Sequence, residues 1–421
     1  MRMSGKIRSQ NVYSNILTYI ISFLSFITIA NGITNEIGLQ TAWDSYILVA
    51  VLVISLLIGF YALLFENAEL QTDILIVVIF FLCSYLMSII CFPQNNKYLF
   101  TTWSDLFGNP VYSIFVLSLP AYVFARNLRD YSLFCYTMRK SAYIVVGLSV
   151  VVFLFMKDSF ATQYMSFSYN MLLHLLFLVF YKPQKNILWH NILVALGLFV
   201  FVVGGARGAL VSFIICAMAY FLVTKGHTAR KLIISLIVAI GAIAFIIMRN
   251  EIFTLILPWL TKMNINSRTI KMMISADILN SSGRDEIAEE VMKNINLFGH
   301  GMMGDRVVCS GVYAHNIFLE LICDFGIVVG FILSLIILVI LVKGIMKKIR
   351  WNHAWIILVS STGFFKLMLS GSFLDFEPAF FVLMGFCVNS FMENKTDGEI
   401  IEENIRDDKI PTEKCSYRTI S

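Results

Sequence analysis

The chain has 421 residues, 58% of them apolar or aromatic and only 14% charged, with a net charge of +5. Soluble domains carry about 25% charged residues, so this composition excludes most soluble folds, along with disorder, collagen-like repeats and disulfide scaffolds. What remains is an all-α fold, a polytopic membrane helical bundle. Its surplus of Lys and Arg is expected to set orientation rather than to mark a nucleic-acid partner.

A helix needs roughly 20 apolar residues to cross a bilayer. Taken in chain order, the predicted spans lie near 14–34, 45–65, 73–92, 110–126, 141–156, 163–181, 187–205, 208–224, 231–248, 315–342, 354–370 and 377–392, about twelve in all. Pro120 falls inside the fourth. With the N-terminus inside, the short inner loops hold 16 Lys and Arg and the short outer loops 4, which predicts both termini on the cytoplasmic side. The chain then divides into a cytoplasmic segment (1–13), a first bundle of nine spans (14–248), an extracytoplasmic loop (249–314), a second bundle (315–392) and a cytoplasmic tail (393–421). No small-residue cleavage site follows the first apolar run, so it reads as a retained span rather than a signal peptide. The tail carries 13 charged residues in 29 and reads as a solvated extension.

The 249–314 loop is the one long connection, and loops of that size are functional or disordered. Its composition favours order. Ile252 to Trp259 is apolar and suited to the interface, and Ser282-Gly283-Arg284-Asp285 has the spacing of a capping box. The helix expected next places Ile287, Val291 and Ile295 on one face and stops at Gly299-His300-Gly301. Cys309 is the single cysteine of this loop, which gives it no disulfide partner there. No CxxC or HExxH spacing occurs, and no metal or other cofactor is expected.

Three outward residues are candidates for chemistry, each with a plainer alternative. His315, in Ala314-His315-Asn316, is either a structural helix-end histidine or a general base at the membrane surface. Arg207, in Gly204-Gly205-Ala206-Arg207-Gly208, is either a snorkelling interface residue or a fork for phosphate oxygens. Arg284 opens a helix whose free N–H groups already favour anions, and is otherwise a solvated loop charge. Asn316, Glu320 and Arg306 are expected to line the same substrate site, and Asp324 to face the bundle interior. Lys366, Asp375 and Glu377, near the last outer hairpin, are expected to pair with one another. The Gly299-x-Gly301 fragment lacks the preceding strand and third glycine of a nucleotide fingerprint. Two arginines and a histidine at the outer surface suit a substrate with a phosphate at membrane level and a hydroxyl to deprotonate. A lipid-linked diphosphate sugar has both.

Three motifs in order resemble those of the O-antigen polymerase and ligase superfamily (Wzy-type). Gly205-Ala206-Arg207-Gly208 resembles its G-S-R-G element, with Ala206 where serine is usual. Ser282-Gly283-Arg284 followed by Phe298-Gly299-His300-Gly301 resembles its loop element, and His315-Asn316-Ile317-Phe318-Leu319-Glu320 with Phe325-Gly326 resembles its H-N-x-x-L segment. The motifs span 204–326; some polymerases have two long outer loops where this chain has one. The resemblance implies a bacterial inner-membrane glycosyltransferase, inverting and metal-independent, acting on undecaprenyl-diphosphate-linked oligosaccharide at the periplasmic or extracellular face. Arg207 and Arg284 would hold the donor diphosphate, and His315 would orient or deprotonate the acceptor hydroxyl. Membrane lipids and a chain-length regulator protein are the other implied partners. A ligase moving finished glycan to lipid A core or protein is the alternative, and a lipid-linked oligosaccharide flippase a second one.

Overall fold

Apolar runs uninterrupted by charge leave a backbone no partner but itself, and in lipid the helix is the form that satisfies every N–H and C=O locally. Every described element of the computed structural model is accordingly helical. The structure describes residues 2–37, 72–100, 110–155 (except 111), 164–224 (except 205), 283–392 (except 376) and isolated residues at 50–61 and 258. The expected spans over 45–65 and 231–248, the Ile252–Trp259 segment and the 393–421 tail fall mostly or wholly outside these.

The elements in order are α1 (Arg2–Ile37), α2 (Thr72–Cys91), a 3₁₀ turn (Pro93–Asn95) with α3 (Asn96–Leu99), a π-helical stretch (Tyr112–Ser118) running into α4 (Leu119–Asn127), α5 (Tyr131–Phe155), α6 (Tyr164–Phe180), α7 (Ile187–Gly204) and α8 (Arg207–Val223). Beyond these lie α9 (Arg284–Lys293), α10 (Gly304–Val308), α11 (Ile317–Arg350), α12 (Trp355–Ser360), a second π-helical stretch (Ser361–Phe365), α13 (Lys366–Leu369) and α14 (Pro378–Met392). Gln10–Thr34, α2, α5 and α11 are long and apolar enough to cross a membrane, and five further apolar helices are shorter, at 10–17 residues. Pro120 is the second residue of α4, directly after the π-helical stretch.

The chain forms two compact units. One comprises residues 22–52, 132–280 and 403–421. Its described helices are joined by polar contacts inside an apolar setting: Ser22 Oγ lies 2.7 Å from Ser141 Oγ and 2.9 Å from His174 Nε2, and Asn170 Nδ2 donates to Thr28 Oγ1 at 2.8 Å. Small hydroxyls let helices approach closely and then bond across the gap.

The other unit comprises 1–21, 53–131 and 281–402 and contains the described part of the long loop, 283–314. Its long helices run between two ends. At one end Arg126 Nε and the Tyr122 hydroxyl donate to Asp73 Oδ2 at 3.1 and 2.8 Å, and buried Lys348 donates to the Tyr131 hydroxyl at 2.5 Å. At the other end, Met302 N donates to Ser88 Oγ at 2.7 Å, near the close of α2. Between the ends, Ile76, Met87 and Ile90 of α2 and Val328, Phe331 and Leu335 of α11 are exposed, as a lipid-facing surface requires.

One apolar run hides a break. Gly326 (φ 81, ψ 166) leaves helical geometry, so α11 is a short leading piece followed by the span proper. The freed backbone groups are taken by the loop that follows α9: His300 N donates to Cys323 O at 2.9 Å, Gly301 N to Asp324 O at 2.8 Å, and Ile327 N donates to Asn296 O at 3.0 Å. A Cβ on Gly299 would come within 2.3 Å of Asp324 O, and one on Gly326 within 2.2 Å of Leu297 O. Both glycines also hold positive φ, so close approach and backbone conformation each demand them. The Gly299-x-Gly301 fragment is therefore a splice into α11. Asn95 locks it from below, donating through Nδ2 to His300 O at 2.7 Å and Met302 O at 2.9 Å.

Candidate functional site

α10 begins at Met303, in the left-handed region at φ 63, and its single turn carries Asp305 and Arg306 inward. Arg306 is 6% exposed. Its Nη1 bonds Asp305 Oδ1 at 2.9 Å and stands 3.8 Å from Glu320 Oε1, while Nη2 donates to Ser372 Oγ at 3.0 Å and to Asp375 Oδ1 at 2.7 Å. Burial alone pulls the guanidinium down, but Asp375, Asp305, Glu320 and Asp324 outweigh it and hold Arg306 well above its ordinary value.

The carboxylates are as fully engaged. Asp305 Oδ1 accepts from the Arg306 N–H at 2.8 Å and Oδ2 from Ala314 N at 2.9 Å; burial pushes its pKa up, against the pull of Arg306. Asp324 Oδ1 accepts from Asp305 N at 3.0 Å and Oδ2 from Met303 N at 3.1 Å. Glu320 takes the Ser372 hydroxyl on Oε1 and Phe373 N on Oε2 at 3.3 Å. Asp305, Glu320 and Asp324 bring ligand oxygens within 4.8 Å of one another, a spacing that a cation accepts. Those oxygens already receive N–H, hydroxyl or guanidinium donors, and Arg306 supplies the positive charge, so the set fits a structural core better than a metal centre.

Beside this core is a second, more open group. His315 sits at φ 57, a conformation a non-glycine residue holds only when its surroundings impose it. Its Nδ1 is buried and has no hydrogen-bond partner among the described residues. Burial and the Arg284 charge lower its pKa to about 4, so the ring is neutral near pH 7. The Tyr313 ring lies against it with centroids 4.2 Å apart, and the Tyr313 hydroxyl donates to Ser370 O at 3.1 Å. Burial and the neighbouring Asp375 and Glu377 carboxylates push that phenol up to about 12. Arg284 Nη2 reaches the same serine, donating to Ser370 Oγ at 3.4 Å. Ser370 thus ties Arg284 to Tyr313, and Tyr313 carries the contact on to His315.

Of the residues expected from sequence, Arg284, Arg306, His315, Asn316 and Glu320 belong to one unit and lie along these contacts, whereas Arg207 belongs to the other. There Arg207 opens α8 behind Ala206, whose N–H donates to Ser168 Oγ at 3.0 Å.

Other expectations change. Asn316 Oδ1 caps α11, accepting from Phe318 N at 3.0 Å and Leu319 N at 3.4 Å, which gives that side chain a structural task. Ser282, on which the expected capping box depends, lies outside the described residues; the N-cap of α9 is Gly283, in the left-handed region at φ 83. α9 ends at Lys293, ahead of Ile295 and the glycines, and Val291 alone of its apolar face is fully buried. Lys366 and Glu377 form the expected ion pair, but Asp375 goes to Arg306. His300 closes its own loop, with Nε2 2.8 Å from Asn294 O.

The sequence reading missed Tyr313, Ser370 and Ser372. The only signal for the two serines was Ser370-Gly371-Ser372, a small polar break between two apolar runs. Comparison with protein-family models, with curated proteins and with solved structures finds no match for this chain.

Proposed function

We propose that the chain is a membrane glycosyltransferase that polymerises undecaprenyl-diphosphate-linked oligosaccharide repeat units into O-antigen, capsular or exopolysaccharide chains, outside the bacterial cytoplasmic membrane. The observation that carries this reading is the Arg284–Ser370–Tyr313–His315 chain of contacts, which joins a phosphate-matched cation to a strained, neutral imidazole with an unpartnered nitrogen. The leading turn of α11 and the loop spliced into it supply fixed backbone around that group. Arg284 would bind the donor diphosphate and stabilise the charge that develops as it leaves. His315, uncharged, would hold the acceptor hydroxyl, and the guanidinium would do the neutralising that a metal does elsewhere.

The test is the size of surface glycan in a strain lacking the chain. Single capped units, restored to long polymer by the wild-type sequence, support a polymerase. Free, unattached polymer would move the reading to a ligase, and repeat units trapped on the inner leaflet would move it to a flippase.

A further inference from the structure

Four carboxylates surround Arg306, and three are closed off. Both oxygens of Asp305, Glu320 and Asp324 already accept hydrogen bonds. Asp375 differs. Its Oδ1 accepts from Arg306 at 2.7 Å, its side chain is 33% exposed, and its Oδ2 has no partner among the described residues. Arg306, which bonds Asp375 Oδ1, lies 5.7 Å from the centre of the Tyr313 ring, and that ring is against His315, so this open carboxylate stands on the side of the core that carries His315. His315 is poorly set to gain a proton, because the Arg284 cation is beside it and its Nδ1 is sealed from solvent.

We propose that Asp375 Oδ2 accepts the proton of the acceptor hydroxyl, leaving His315 to orient that hydroxyl. This rests on the glycosyltransferase reading above. In the step, the acceptor oxygen bonds to the anomeric carbon and its proton passes to Asp375. The bond from that carbon to the diphosphate oxygen breaks, and its electron pair leaves with the diphosphate. Arg306 fixes the carboxylate plane through Oδ1, and Ser372 and Asp305 hold the guanidinium in turn. Asp375 lies past the motifs that carry the family resemblance, on the turn between α13 and α14.

The experiment uses the full-length chain in detergent or nanodiscs, with lipid-linked oligosaccharide extracted from cells lacking the chain. Asp375→Asn keeps an oxygen for Arg306 but cannot take the proton. Transfer to sugar is expected to fall on the order of 10²–10⁴-fold, with binding of the extracted donor unchanged and partial recovery in Asp375→Glu. Sodium azide, a nucleophile that needs no deprotonation, should restore donor consumption in Asp375→Asn, giving the glycosyl azide. Wild-type transfer by Asp375→Asn overturns the proposal. So does joint loss of transfer and donor binding that azide does not relieve, since Asp375 would then serve only to hold Arg306. A wild-type protein that leaves the donor intact overturns the parent reading, and this one with it.

Discussion

Tyr313 and His315 face each other across a single intervening residue, their rings 4.2 Å apart, because Ala314 donates its N–H to Asp305 and turns the chain inward between them. Ala314 is 3% exposed and packs with Val291 and Cys323. The position of the imidazole is thus set by the buried acid core. Tyr313→Phe should keep the tilted ring contact but lose the bond to Ser370, whereas Tyr313→Ala should lose both. Glycan sizing should show milder shortening for the first than for the second, and equal loss would show that the hydroxyl matters more than the ring.

Alanine at Arg207, Arg284 or His315 should abolish long polymer while the protein still inserts and accumulates in the membrane. Immunoblots of membrane fractions beside glycan gels would check this. Normal polymer from all three variants would defeat the glycosyltransferase reading.

Arg306→Leu should act on folding more than on chemistry. Removing the cation leaves Asp305 and Glu320 buried without their counter-charge, and breaking such a pair typically destabilises by about 3–5 kcal/mol. Thermal unfolding in detergent should register a large fall in midpoint. An unchanged midpoint would mean that the acids adjust by holding protons.

Asn316→Ala should destabilise by about 1 kcal/mol, the usual effect of losing an N-cap, and Asn316→Asp, which caps equally well, should not. Donor binding that falls in both variants while the midpoint falls only in the first would give Asn316 a direct substrate role besides its cap.

The histidine carries a pH signature of definite sign. Its folded-state pKa is lowered to about 4 from an ordinary 6.5, so the folded protein favours the neutral ring. The stability this contributes is present above 6.5 and is lost as pH falls from there towards 4. Comparing unfolding midpoints of wild type and His315→Gln across that window should show the wild type losing more on acidification. Activity, for its part, should show no histidine inflection near 6.5. An inflection there that disappears in His315→Gln would contradict the burial and the Arg284 contact.

Hydropathy located α2, α6, α7 and α8 to within a residue or two, because the bilayer demands a property that every turn of a span must show by itself. It failed where helix and apolar run part company. α5 begins at Tyr131, ten residues before the expected 141, since Arg139 and Lys140 continue the helix while lying against the Tyr136 ring. The break at Gly326 was invisible for the opposite reason: its neighbours are apolar, and only a loop some 25–30 residues upstream supplies the bonds that make the break stable. At the site, Arg284 and His315 were legible as polar residues in an outward loop. Ser370 joins Arg284 from 86 residues away in sequence and Asp375 joins Arg306 from 69, distances over which periodicity and spacing carry no information.

The splice at Gly299 and Gly326 also fixes an order of assembly. Ser88 and Asn95 emerge early in synthesis, yet their partners at 300–302 follow more than 200 residues later. Arg306 in turn waits for Ser372 and Asp375. A nascent chain halted after α11 would hold Arg306 with only part of its carboxylate company and without the serine that the α13–α14 turn supplies. The site is completed by the turn between α13 and α14, so premature release of the chain should yield a membrane-bound but quickly degraded product.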